Sequence, residues 1–305
     1  MAGISRRSLL IGAASRCWAQ ATFSTDVTVV TVFATVHDRD GKIVKDLSQD
    51  DFLLLEDGVA QEIRYFSRES DLPLTIGLLV DTSRSQTGVL EPERRASYTF
   101  LDQVLREDTD HAFVTSFDTQ VDILQGLTSS RDDLRAALDR LVIPGHYATL
   151  IFSAIRQASE DVMRKQKGRK AFILLSDGFA FRDPVSIGTA IEFAQRADTL
   201  TYSIRFSDHP KVYRPGRAAV QAIASERGKG VLERLSRETG GGYVEVSKKE
   251  SIEQIYMRIE EELRNQYSIG YTPARADTSG KYRKIKLTTK RPGLIVQARD
   301  GYYPR

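Results

Sequence analysis

The chain has 305 residues, of which 41% are hydrophobic and 28% are charged, so it can bury one medium-sized domain and a smaller module. This composition excludes a disordered or fibrous protein. The 44 basic residues face 41 acidic ones, and removal of Arg6, Arg7 and Arg16 with a leader would make the two numbers equal. The charge therefore indicates no general attraction to nucleic acid or to anionic membranes.

The first 21 residues, MAGISRRSLLIGAASRCWAQA, have the basic start, the apolar segment and the small residues before a cleavage site that are typical of an export signal. The segment SRRSLL also resembles a twin-arginine signal, which a receptor reads. An uncleaved basic tail is the alternative, because the apolar run is short and Arg16 interrupts it. The only cysteine, Cys17, lies in this leader, so a mature fold would contain no disulfide. We predict export to the periplasm or the medium. After the leader, no apolar run approaches the length of about 20 residues that spans a membrane, so we expect no membrane-spanning segment in the mature form.

Residues 22–70 consist of short alternating segments that predict antiparallel β structure. DVTVVTVFATVHD predicts one strand, and DFLLLEDGVAQEIRYFS predicts two strands around an Asp-Gly turn. We expect a small Ig-like β module. Its acidic residues Asp38, Asp40, Asp50 and Asp51 lie near turns, where such residues are more often turn formers than calcium ligands.

The apolar run LPLTIGLLVD at residues 72–81 predicts a strand buried on both faces, as in a parallel sheet covered by helices. It ends at Asp81, which Ser83 and Ser85 follow, and α/β sheets bind ligands at the carboxyl ends of their strands. One carboxylate and two hydroxyls at this spacing can direct their oxygens at one point. Such donors suit Mg²⁺ or Mn²⁺ better than Zn²⁺. The alternative is a turn in which the same side chains bind backbone N–H groups.

From residue 86 onward, helix and strand patterns alternate as in a doubly wound α/β domain. The predicted helices are residues 91–106, 130–141, 149–164, 185–196, 231–241 and 251–264. The predicted strands are residues 111–118, 121–128, 172–175, 201–207 and 242–247, with 121–128 as an antiparallel edge strand and 208–230 as a loop. A second buried strand thus ends in Ser176-Asp177-Gly178. If the two buried strands are parallel neighbours, Asp81 and Asp177 lie at the same edge of the sheet.

The segment Asp81-Thr82-Ser83-Arg84-Ser85 matches the D-x-S-x-S motif of von Willebrand factor type A domains, and the chain resembles this family over residues 72–265. In the family, a metal-ion-dependent adhesion site combines this motif with a threonine from a loop and an aspartate after the central strand. Thr149, in HYATLIFSAI, stands where the family commonly has G-T-x-L-x-x-A-I, with Ala148 in place of the glycine. Asp177 matches the final aspartate. The resemblance therefore implies a cation site made by Asp81, Ser83, Ser85, Thr149 and Asp177.

The resemblance implies that this site holds Mg²⁺ or Mn²⁺ and that an Asp or Glu of a protein partner completes the coordination of the ion. It implies an exported, non-enzymatic binding protein, similar to acidobacterial proteins with a single type A domain. A cation that only stabilises the domain is one alternative. A metal-dependent phosphatase or hydrolase that uses Asp81 is another, although Ser83 stands where D-x-D enzymes need a second carboxylate and G-x-S-x-G is absent. His146 precedes Thr149, but a solvated loop histidine is the simpler interpretation.

Residues 266–305 return to strand patterns in QYSIGYTP, KYRKIKLTTK and GLIVQARDGYYP, with a Pro-Gly turn before the last one. The basic segment KYRKIKLTTKRP alternates Lys and Arg with apolar residues, which indicates one solvated and one buried face better than a nucleic-acid site. We expect residues 22–70 and 266–305 to form one β-sandwich beside a type A domain at residues 72–265.

Overall fold

The computed structural model describes residues 29–68, 72–145, 147–206, 218–247, 250–274 and 280–304. The predicted leader and His146 lie outside the described residues. Within the described residues four strands come first, namely β1 (Val30–His37), β2 (Phe52–Glu56), β3 (Val59–Gln61) and β4 (Ile63–Ser67).

The central part of the chain alternates strands with helices. In chain order it contains β5 (Leu74–Asp81), α1 (Leu90–Val104), β6 (His111–Phe117), β7 (Val121–Thr128), α2 (Arg131–Asp139), α3 (Ile151–Asp161), β8 (Arg169–Leu175), α4 (Ile187–Arg196), β9 (Leu200–Phe206), α5 (Ala218–Thr239), β10 (Tyr243–Val246) and α6 (Ile252–Arg264). Four strands follow, namely β11 (Tyr267–Tyr271), β12 (Arg283–Thr289), β13 (Ile295–Ala298) and β14 (Gly301–Tyr302).

The central strands form one six-stranded sheet in the order β10-β9-β8-β5-β6-β7. All pairs are parallel except β6 with β7, so residues 121–128 are the antiparallel edge strand that the sequence predicts. One face of the sheet packs on α1, α2 and α6, and the other packs on α3, α4 and α5. This arrangement confirms the doubly wound α/β fold, and it explains why every residue of β5 is buried.

The two strands that end in aspartates are direct neighbours. β5 pairs with β8 in parallel, with Val80 opposite Leu175. On its other side β5 pairs with β6, where Asp81 lies opposite Phe117. The carboxyl ends of the three central strands therefore meet at one edge of the sheet, as expected for a ligand-binding edge.

The loop predicted for residues 208–230 is wrong in its second half, because α5 begins at Ala218. The sequence favoured a loop since Gly228 and Gly230 each lower helix propensity by about 1 kcal/mol relative to alanine. Tertiary packing overrides that preference. Gly228 is buried in α5 against the main chain of Asp177, an approach that any side chain at this position would obstruct.

The remaining strands form two four-stranded sheets, ordered β13-β1-β11-β4 and β14-β12-β2-β3, around a shared apolar core. Each sheet contains strands from both ends of the chain, which confirms the predicted β-sandwich. Two predicted strands differ from the structure, because residues 59–67 are split between β3 and β4, and residues 294–303 between β13 and β14. In both cases the chain bends and passes from one sheet to the other. Along β12 the first five residues alternate between buried and exposed, as its basic pattern predicts.

Candidate metal centre

Asp81 is the last residue of β5, and its side chain is completely buried. Its Oδ1 accepts a hydrogen bond from the backbone N–H of Ser83 at 2.9 Å, and its Oδ2 accepts one from Ser176 Oγ at 2.6 Å. The two hydrogen bonds fix the orientation of the carboxylate before any ligand binds. Ser176 was not among the predicted site residues, and its only signal in the sequence was its place between a buried strand and Asp177.

After Asp81, the side chains of Ser83 and Ser85 belong to the candidate site, whereas Thr82 between Asp81 and Ser83 binds to a neighbouring strand. Thr82 is anchored to the end of β6, because its N–H and its hydroxyl both donate to Phe117 O, at 3.0 and 3.3 Å. The hydroxyl oxygens of Ser83 and Ser85 lie 3.0 Å apart. Ser83 is buried and Ser85 is exposed, so the pair of hydroxyls extends from the interior to the protein surface.

Thr149 belongs to a loop that is tied to both neighbouring strand ends. Its N–H donates to Phe181 O at 2.9 Å, and Phe181 N–H donates back to Thr149 O at 3.2 Å. The next residue, Leu150, donates its N–H to the carbonyl of Asp118, directly after β6, at 3.1 Å. Because Phe181 follows Asp177 closely in sequence, this bridge brings the threonine segment to the segment of the second aspartate.

A distant aspartate fixes the helix that follows Thr149. Asp183 Oδ2 accepts from the N–H groups of Phe152 and Ser153, at 2.7 and 3.2 Å, and its Oδ1 accepts from Ser153 Oγ at 2.6 Å. A carboxylate in this place satisfies free N–H groups at the start of α3 and complements the positive end of the helix dipole. Asp183 was not predictable as a cap, because an N-cap residue normally stands immediately before its helix in the sequence.

Asp177 is partly buried, and its Oδ1 accepts from Phe179 N–H at 2.9 Å. The next residue, Gly178, has a positive φ of 80° and lies against α5. A Cβ added to Gly228 of α5 would come within 2.3 Å of the carbonyl oxygen of Asp177. The backbone of the Asp177 loop and the backbone of α5 are thus in direct contact, which fixes the position of the second aspartate.

The site has excess negative charge. Burial is the larger cause and the charge of Asp177 the smaller one that together raise the pKa of Asp81 to about 7. Hydrogen bonds from Ser176 and Ser83 oppose the rise. A divalent cation would balance both carboxylates. In the described residues no three His, Cys, Asp or Glu side chains are arranged to hold a metal ion, so a cation here would also need the hydroxyls. Carboxylate and hydroxyl oxygens are hard donors, and these residues therefore fit a hard divalent cation.

Aromatic and arginine side chains surround this edge of the sheet. Tyr147 is 68% exposed and lies under the guanidinium of Arg84, 5.0 Å from its ring centre. Phe179 and Phe181 are exposed and stack with ring centres 6.4 Å apart, and Arg182 lies 5.2 Å from the ring centre of Phe181. We call these five residues the rim.

The structure brings four of the predicted site residues to one edge of the sheet, namely Asp81, Ser83, Ser85 and Asp177. It connects the segment of the fifth, Thr149, to them by the bridge to Phe181. His111 begins β6 and therefore lies at the opposite edge of the parallel sheet.

The sequence profile of the von Willebrand factor type A domain matches residues 75–257, which is more than half of the chain. The chain therefore belongs to the von Willebrand factor type A domain family. A search of curated proteins found no significant match.

Among solved structures, the chain is similar to proximal thread matrix protein 1 from the mussel byssus. In that structure the metal-ion-dependent adhesion site (MIDAS) motif is occupied by zinc. The identity is 14% and the TM-score is 0.50, over 70% of this chain and 50% of that one. It also resembles BatB from Bacteroides thetaiotaomicron (18% identity, TM-score 0.47, 63% of this chain and 100% of that one). A third similar structure is the vWF domain of the pilus tip protein Mfa5 from Porphyromonas gingivalis (11% identity, TM-score 0.46, 63% of this chain and 94% of that one). Similarity at this level of identity concerns the fold alone. None of the described helices is long and apolar enough to cross a membrane.

Proposed function

We propose that this chain is a metal-dependent protein-binding module. Asp81, Ser83, Ser85, Thr149 and Asp177 would hold Mg²⁺ or Mn²⁺, and a carboxylate of a protein partner would bind to that ion. The observation that carries the proposal is the convergence of two hydroxyls, 3.0 Å apart, with two carboxylates at one sheet edge.

The residues of the site divide this work between them. Asp81 is buried and held by two hydrogen bonds, so it supplies negative charge from below. Ser85 lies at the surface, which leaves the outer side of the site accessible to a partner. A bound cation supplies a Lewis-acidic position for an incoming carboxylate, and hydroxyl ligands leave more of its positive charge for the partner than carboxylate ligands would.

The rim supports a protein as the partner. Exposed tyrosine and arginine side chains are enriched among the residues that dominate protein interfaces. Arg84 and Arg182 add positive charge beside the cation site, which favours an acidic segment. The stacked rings of Phe179 and Phe181 offer an apolar contact next to it. We therefore expect the partner to present an Asp or Glu with an apolar neighbour.

A phosphatase or hydrolase reaction receives less support from this geometry. A nucleophilic Asp81 would have to present an oxygen to the substrate, but its side chain is fully buried and both of its oxygens accept hydrogen bonds. Turnover of p-nitrophenyl phosphate that is lost in Asp81→Ala would contradict the proposed function.

A display library of random peptides tests the proposal directly. Peptides selected in Mg²⁺ should contain Asp or Glu, and they should lose binding in EDTA or when that residue is changed to Asn or Gln. Asp81→Ala should abolish binding, whereas Asp122→Ala, at an exposed position on the edge strand β7, should not. Peptides that bind equally well in EDTA and to Asp81→Ala would contradict the proposal.

Export belongs to the proposal as well, and it is supported by the basic, apolar and small-residue pattern of residues 1–21. The mature protein isolated from a host cell envelope should begin near residue 22. An N-terminal sequence that still begins at Met1 in the cytoplasm would contradict export.

A further inference from the structure

Glu93 of α1 is a buried carboxylate that the sequence analysis did not single out. Its side chain is 1% exposed. Among the residues that the structure describes, neither of its carboxylate oxygens has a hydrogen-bond partner. An ionised carboxylate that is buried without a partner is strongly destabilising. Protonation removes the charge but leaves an O–H that needs an acceptor.

The helix forces Glu93 into this position. The core-facing side of α1 contains Leu90, Glu93, Ser97, Phe100 and Val104, which recur at helical spacing. Glu93 therefore replaces an apolar residue on the buried side of the helix. An apolar residue would be more favourable here unless the carboxylate has a ligand.

Its polar neighbours on the helix do not provide that ligand. Arg94 Nη1 forms an ion pair with Glu91 at 2.7 Å, and the hydroxyls of Ser97 and Tyr256 bind each other at 3.0 Å. The charged groups that act on Glu93 are Asp81 and Asp177, and both are negative. Burial, followed by these two charges, raises the pKa of Glu93 well above its usual range. Glu93 thus lies on the buried side of the first part of α1, the helix that follows the Asp81–Ser85 segment, and the N–H groups of Gln86, Val89 and Glu93 connect the two stepwise through the carbonyls of Ser83, Gln86 and Val89.

We infer that Glu93 is a further residue of the cation site, on its helix side, and that it accepts hydrogen bonds from water molecules that hydrate the cation. Mg²⁺ retains several waters in proteins, and such waters donate hydrogen bonds, which is what both oxygens of Glu93 lack. Direct binding of Glu93 to the cation is less consistent with the structure. Among the described residues, no three His, Cys, Asp or Glu side chains are arranged to hold a metal ion together. This inference rests on the proposed function, because it requires a cation at the site.

The variant Glu93→Gln tests the inference, because it keeps the size of the side chain and removes its charge. Groups that orient the ligands of a metal ion typically contribute about 10- to 100-fold to its affinity. We therefore expect Glu93→Gln to weaken Mn²⁺ and Mg²⁺ binding by about 10- to 100-fold in isothermal titration calorimetry. The matched control is Glu91→Gln on the exposed side of the same helix turn, which should bind like the wild type.

Urea unfolding in EDTA separates a binding defect from a folding defect. Without metal, Glu93→Gln should be about as stable as the wild type, because burial and the charges of Asp81 and Asp177 already disfavour the ionised carboxylate that the substitution removes. If the wild type and Asp81→Ala differ in metal binding but Glu93→Gln equals the wild type, the inference is wrong and the proposed function stands. If the wild type itself binds no metal, both are wrong.

Discussion

The contact between α5 and the Asp177 loop leads to a prediction about two glycines of one helix. Gly228→Ala places a Cβ 2.3 Å from the carbonyl oxygen of Asp177, whereas Gly230 has no atom within 4 Å of the same position. Both substitutions are Gly→Ala inside α5. They therefore share the same change in helix propensity and differ only in the contact.

The two opposing terms can be estimated separately. Replacing glycine by alanine inside a helix stabilises it by about 1 kcal/mol. Cβ contacts under 3.0 Å are essentially never observed, so the Asp177 loop or the helix must shift at position 228, and overpacking of this kind costs about 1–3 kcal/mol. Gly230→Ala should thus be about 1 kcal/mol more stable than the wild type. Gly228→Ala should be about 1–3 kcal/mol less stable than Gly230→Ala.

Urea denaturation of both variants in EDTA measures the free energies of unfolding, and calorimetry measures the affinity for Mn²⁺. Because the loop that moves contains Asp177, Gly228→Ala should also bind Mn²⁺ about tenfold more weakly, by analogy with other residues that orient metal ligands. Gly230→Ala should bind Mn²⁺ like the wild type. Equal stabilisation by both substitutions, with unchanged metal affinity, would refute the argument from the contact.

Three further predictions concern the support of the site and of the fold. Asp183→Ala removes the cap of α3 and should cost about 1–2 kcal/mol of unfolding free energy, with weaker Mn²⁺ binding; an unchanged affinity would show that the Thr149 loop is held without it. Burial raises the pKa of Asp110, but hydrogen bonds from Arg106 and Arg264 outweigh it and lower the pKa below its usual range. The loss of stability in Asp110→Asn should therefore be constant above about pH 5 and shrink below about pH 4, where the unfolded chain takes up the proton first; a loss that grows on acidification would contradict this. A fragment of residues 72–265 should fold alone and residues 22–70 should not, as circular dichroism would show, because β1 and β2 pair with strands from the end of the chain; cooperative unfolding of residues 22–70 alone would refute it.

The sheet and its aspartates were predictable because burial leaves a strong trace in the sequence. A strand buried on both faces is apolar over most of its length, so the runs before Asp81 and Asp177 identify the two central strands. The D-x-S-x-S spacing then indicates which edge binds a ligand. Strand patterns at both ends of the chain likewise predicted the sandwich.

The features that the sequence did not reveal depend on contacts between distant segments. The cap from Asp183 reaches α3 from another loop, and the close approach of Gly228 to Asp177 cannot be read from either segment alone. Local helix propensity therefore predicted a loop for residues 218–230, which belong to α5. The buried position of Glu93 could have been predicted from the sequence, because its spacing from Leu90 and Phe100 places it on the apolar side of α1.

The measurement that tests the central claim most directly is thermal unfolding of the wild type and Asp81→Ala with Mg²⁺, with Mn²⁺ and with EDTA. A cation that binds only the folded chain stabilises it by about 2.7 kcal/mol at one hundred times its dissociation constant. The account predicts that Mg²⁺ or Mn²⁺ raises the melting temperature of the wild type, that EDTA reverses the rise, and that Asp81→Ala shows none. A wild-type protein that melts at the same temperature in all three conditions would contradict it.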